Sequence, residues 1–93
     1  MPITINLPDD PATLDLAGDP RDLPGPLYEQ ILDVYAAQVS ASREPLAAVL
    51  ATARMVTEAA RVRRWPIAPA ARLGDIAAKL CQTVCDDALR MVD

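Results

Sequence analysis

Histidine and phenylalanine are missing from this chain, and its aromatic residues are only Tyr28, Tyr35 and Trp65. Without an imidazole there is no Ser-His or Cys-His dyad, no histidine metal ligand and no side chain that ordinarily titrates near neutral pH. Glycine occurs only at positions 18, 25 and 74, too sparsely for a phosphate-cradling loop. Cysteine occurs twice, at Cys81 and Cys85, where a closed zinc site wants four ligands. No apolar run approaches the roughly 18–20 residues needed to cross a bilayer. The opening residues, Met1 to Pro8, hold no Lys or Arg and no long apolar stretch, so no secretory signal is read there and a cytoplasmic location is expected.

The carboxylates do not supply the missing chemistry. Asp9-Asp10 sits among prolines, and Asp86-Asp87 are adjacent on a helical pattern, where i, i+1 neighbours do not face each other. We therefore expect no catalytic residue, no cofactor, no metal, no small-molecule substrate and no membrane association.

What remains is a chain of 93 residues, 52% hydrophobic, rich in Ala and Leu, with a formal net charge of −4. That length holds one core, and such a core supplies only about 3–5 kcal/mol before staples or partners are counted. The acidic balance disfavours nucleic acid as a partner.

Residues 1–25 read as an extended, acidic, proline-rich arm. Six of the nine prolines lie at or before Pro26, so no long helix runs through this part. Ile3, Ile5 and Leu7 alternate with Thr4 and Asn6, the period of a short strand with one apolar face. Such a strand needs an edge, in a second copy or in another protein's sheet; otherwise the segment lies across the chain's own helices. Residues 8–24 read as a Pro-punctuated, partly mobile linker, and no internal repeat is recognised.

From residue 26 to residue 93 the apolar spacing turns helical, predicting an all-α domain of three helices near residues 26–41, 45–64 and 69–92. The first carries Leu27, Ile31, Val34, Tyr35 and Val39 on one face. Ser42-Arg43-Glu44-Pro45 breaks it, with Ser42 expected to cap the second helix and Pro45 tolerated in its first turn. The second helix has the stripe Leu46, Val49, Leu50, Ala53, Val56 and Ala60, and a solvated ion-pair row of Arg54, Glu58 and Arg61. Trp65-Pro66 stops it; Pro69 suits the start of the third helix, and Gly74-Asp75 marks an alternative start. The third helix has a wide apolar arc, Leu73, Ile76, Ala77, Leu80, Cys81, Val84, Ala88 and Leu89, implying more than one neighbour.

Three features of the sequence bear on chemistry. Cys81 and Cys85, at i, i+4, have Cβ atoms too far apart for an intrahelical disulfide, which favours buried structural thiols over an intermolecular disulfide, a shared metal or a reactive pair. Residues 73–90 match the first helix of a helix-turn-helix motif at Ile76, Ala77 and Leu80, but no breaker follows where the turn belongs; one continuous helix fits better. The third feature is charge. Residues 51–72 hold five Arg against one Glu, while residues 1–24 hold five Asp against one Arg. Arg61, Arg63 and Arg64 can cap a helix C-terminus, accept the acidic arm, or form with Trp65 a patch for a phosphate or an acidic partner.

These observations point to a non-enzymatic protein–protein interaction module, a small adaptor, assembly factor or accessory subunit, working as a homo-oligomer or on a larger protein partner. Its expected contact residues are Ile3, Ile5 and Leu7 of the arm and Arg61, Arg63, Arg64 and Trp65. The alternative is a small nucleic-acid-associated regulator using the Arg61 to Arg72 basic patch.

Overall fold

A computed structural model of the chain describes residues 5–14, 16 and 18–91, with side chains as far as Asp87. Three helices follow an irregular arm: α1 (Gly25–Ser42), α2 (Pro45–Val62) and α3 (Ile67–Met91). Among the described residues there is no strand. The all-α three-helix bundle expected from the apolar spacing is thus the fold, with boundaries within two residues of those read from the sequence.

Each helix begins with a proline in its first turn, where the backbone N–H groups have no intrahelical acceptor and a missing donor costs nothing. Pro26, Pro45 and Pro69 fill this role. α3 starts two residues earlier than expected, with the Ala70 N–H already bonded to the carbonyl of Pro66. α1 runs on to Ser42 and ends on Arg43 in the left-handed conformation, φ 58°. Ser42 does not cap α2. Its hydroxyl donates to the Gln38 carbonyl at 2.9 Å and accepts the Glu44 N–H at 3.3 Å, closing α1 instead. Glu44 is the N-cap residue of α2 and makes no side-chain capping bond.

α2 is the central element, packed most extensively on α3 and less on α1. Ile31, Val34, Ala48, Val56, Ala60, Ala70, Leu73 and Ala77 are wholly buried. Alanine and glycine bring the α2 and α3 axes close: a Cβ on Gly74 would overlap Thr57 Oγ1 and lie 3.3 Å from the Ala53 carbonyl oxygen. Gly74 therefore permits a close approach inside one continuous α3 and does not start a helix. That continuity also removes the helix-turn-helix arrangement.

The stripe read for α2 is partly misplaced. Val49, Val56 and Ala60 are buried, but Leu46 and Leu50 are exposed. Thr52 and Ala48 sit inside in their stead, because the buried face of α2 is rotated toward the side that meets both α1 and α3. Thr52 is tolerated there since its hydroxyl donates to the Ala48 carbonyl at 2.8 Å.

The linker is more regular than its composition suggested. Asp10-Pro11-Ala12-Thr13-Leu14 and Asp19-Pro20-Arg21-Asp22-Leu23 share the pattern Asp-Pro-x-x-Leu, nine residues apart. Both fold into a 3-10 turn, Pro11–Thr13 and Pro20–Asp22, in which the aspartate accepts the N–H two residues on at 2.9 Å. In each, leucine follows the turn; Leu23 is buried and Leu14 packs partly against the core. The Arg21 backbone N–H, then its guanidinium, hold the Asp19 carboxyl below its ordinary pKa. A short repeat is therefore present, against the expectation of none.

Candidate functional site

The region with the greatest concentration of charge is the turn between α2 and α3, which also receives the arm. Its backbone takes a left-handed position without a glycine. α2 ends in paired bonds of the Schellman type, Trp65 N–H to the Ala60 carbonyl at 3.0 Å and Arg64 N–H to Arg61 at 2.9 Å. The position that such a motif gives to a left-handed residue is held by Arg64, φ 65°. The bend turns Trp65 back into the bundle, where it is 1% exposed.

The arm crosses this turn in extended form. Ile5 and Leu7 are buried, while Asn6 between them is exposed and its N–H donates to Gln30 Oε1 on α1 at 2.8 Å. Next, Trp65 Nε1 donates to the Pro8 carbonyl at 2.9 Å. Asp9 then meets Arg63 at 3.2 Å, its own side chain largely in solvent and that of Arg63 partly covered. Ile5 and Leu7 alternate with Asn6 as expected, but their apolar side fills the chain's own core, and there is no strand among the described residues. Ile3 lies outside the described residues.

The structure thus separates the residues expected to contact a partner. Ile5, Leu7 and Trp65 are enclosed by their own chain and present no anchor in this conformation. Arg61, Arg63 and Arg64 stay at the surface, but Arg61 Nη1 donates to the Trp65 carbonyl at 2.9 Å and Arg63 is engaged by Asp9. Of the readings of the arginines, one contact with the acidic arm is present, Arg63 to Asp9, while Arg61 bonds the turn carbonyl of Trp65 and not a carbonyl of α2. The expected Arg54, Glu58 and Arg61 row is exposed, yet it contains no ion pair among the described residues. Arg61 is drawn instead to the turn carbonyl, an acceptor fixed in place by the Schellman bonds.

Where the arm passes α3 it leaves open grooves. One, of about 430 Å³, lies between Asp10, Leu14 and Leu16 on one side and Pro69 and Arg72 on the other. A second, about 380 Å³, continues along Arg72, Asp75, Ile76 and Lys79. Each carries side chains of both signs.

Cys81 and Cys85 are free and buried. Burial pushes the Cys81 thiol up to about 11 despite an opposing hydrogen bond with Thr52. Tyr35, buried with Cys85 beside it, is pushed up to about 12. Both shifts favour neutral groups, the reverse of what a nucleophile needs. No cluster of three or more potential metal ligands occurs among the described residues, and no described helix is long and apolar enough to cross a membrane.

The chain matches no family model, no curated protein and no solved structure.

Proposed function

We propose that this protein is a non-enzymatic interaction module, a small adaptor, assembly factor or accessory subunit of the cytoplasm that works as a homo-oligomer or on a larger protein. The observation that carries this reading is on α2: Leu46 and Leu50, one turn apart, are 63% and 72% exposed while the core behind them is closed. Single exposed apolar residues are ordinary, but adjacent large ones on a rigid helix are what an interface collects. Ile5 and Leu7 of its own arm complete the core. Association then serves assembly.

Light scattering on the full chain over a wide concentration range, at low and high salt, tests the reading together with affinity capture using the same chain as bait. A mass that rises with concentration, or a stoichiometric complex reconstituted from the purified captured protein, supports it. Monomer mass throughout with nothing retained overturns it.

The second reading, a nucleic-acid-associated regulator using Arg61 to Arg72, draws support from the exposure of Arg64 and Arg72. The engagement of Arg61 and Arg63 within the chain weakens it. Binding to a duplex that falls steeply with salt and is lost in Arg63→Ala/Arg64→Ala would favour it over the first.

A further inference from the structure

The exposed large apolar side chains of the described residues lie along α2 and just beyond it: Leu46, Leu50, Val62 and, at the first residue of α3, Ile67. Between Leu50 and Val62, at steps of four, stand Arg54 and Glu58, both exposed. Residues four apart form a ridge on a helix surface. Along this one the order is apolar, basic, acidic, apolar.

That order discriminates between ways of meeting a second copy. Parallel packing sets Arg54 against Arg54 and Glu58 against Glu58. Antiparallel packing about a two-fold axis at the level of Val56 sets Leu50 against the partner's Val62 and Arg54 against the partner's Glu58. Leu50 and Val62 each lie six residues from that level, about 9 Å along the axis, and Arg54 and Glu58 each lie two residues from it, about 3 Å. Leu46 then extends toward the partner's turn between α2 and α3, where Ile67 begins the next helix. The charges are available for this, because neither Arg54 nor Glu58 forms an ion pair within its own chain among the described residues. Ala47, exposed, and Ala51, half-buried, flank the ridge and let a second helix approach.

We propose that the outer face of α2 is a homodimer interface, occupied by α2 of a second copy lying antiparallel across a two-fold axis. The proposal rests on the interaction-module reading and names the partner within it. A two-fold contact is self-complementary by necessity, and the ridge has that property in this register alone. One helix face buries less than the roughly 800 Å² per partner of a standard interface, so the dimer forms at micromolar or higher concentration.

Sedimentation equilibrium of the full chain, from about 5 μM to about 1 mM, tests it on the wild type, Leu50→Glu, Arg54→Glu, Glu58→Arg and the double charge exchange Arg54→Glu/Glu58→Arg. Circular dichroism checks that each variant keeps its helices; the altered side chains are exposed. The wild type should dimerise, and Leu50→Glu should weaken the dimer by about tenfold or more. Each single charge reversal should weaken it about five- to tenfold, because both copies of the pair become repulsive. The double exchange should return it to within about threefold of wild type, since the reversed charges again face opposites. A dimer indifferent to these changes uses another face, which overturns this proposal and leaves the interaction-module reading standing. A wild type that stays monomeric to about 1 mM overturns the proposal, and with no captured partner it overturns the reading as well.

Discussion

Trp65 and Pro8, fifty-seven positions apart, are joined by a hydrogen bond of 2.9 Å from the indole N–H to the proline carbonyl. Proline cannot donate a backbone hydrogen bond, but its carbonyl accepts one, and Trp65 is turned inward to reach it by the left-handed Arg64. The bond therefore ties the turn between α2 and α3 to the start of the arm. Trp65→Phe should keep most of the packing, lose this donor and cost about 1–2 kcal/mol, whereas Trp65→Ala should cost about 3–5 kcal/mol. Urea unfolding followed by circular dichroism measures both.

The arm is held by burial more than by charge. The Arg63–Asp9 pair is largely solvated, and such pairs contribute about 0–1 kcal/mol. Arg63→Ala should change stability by less than about 1 kcal/mol, while Leu7→Ala should cost about 2–4 kcal/mol. Since Trp65 is the chain's single tryptophan, its fluorescence reports arm release. Emission should shift to the red when residues 1–8 are removed and stay unchanged in high salt; a red shift with salt alone would mean that charge holds the arm.

Gly74→Ala sets two effects against each other. Alanine gains about 1 kcal/mol of helix propensity over glycine, but its methyl group would collide with Thr57 Oγ1, which is fixed by donating to the Ala53 carbonyl at 2.9 Å. The collision should win, with a net loss of about 1–3 kcal/mol. Thr57→Ala should recover much of it when combined with Gly74→Ala. Thermal melts of the single and double variants decide the sign.

Raised pKa values at Cys81 and Tyr35 imply a loss of stability in alkali. Both groups keep their protons in the folded state at pH values where the unfolded chain releases them. Above about pH 9 the unfolded state thus binds fewer protons, and stability falls with rising pH, through about 11 for Cys81 and about 12 for Tyr35. Melting temperatures measured from pH 7 to 11 should be level to about pH 9 and decline beyond it. A level profile to pH 11 would contradict the burial of both groups.

The same burial makes the cysteines inert. Cys81, with its pKa near 11, is about 0.1% thiolate at pH 8, and Cys85 is shielded by its burial. A disulfide reagent should modify native protein slowly, at a rate set by local opening, and titrate both cysteines quickly in denaturant. Rapid labelling of the native chain would show an open site around α3.

Periodicity and proline placement determined the three helices by themselves. Leu27, Ile31, Val34 and Tyr35 recur at helical spacing, and Pro26 and Pro45 suit only a first turn; these are local rules that need no knowledge of neighbours. The Asp-Pro-x-x-Leu turns were equally local, and the repeated Asp, Pro and Leu at fixed spacing were their signal. Alternation at Ile5 and Leu7 declared one apolar side to the arm but not what would cover it. Tertiary structure decided that the core of the same chain does, through Gln30 and Trp65, and so turned three expected contact residues inward. It also decided which leucines of α2 stay outside. Leu46 and Leu50 look like core in a one-dimensional pattern because hydrophobicity fixes a helix's apolar arc and not its rotation. That rotation depends on where α1 and α3 are, and on the close approach allowed at Gly74, which no local spacing encodes.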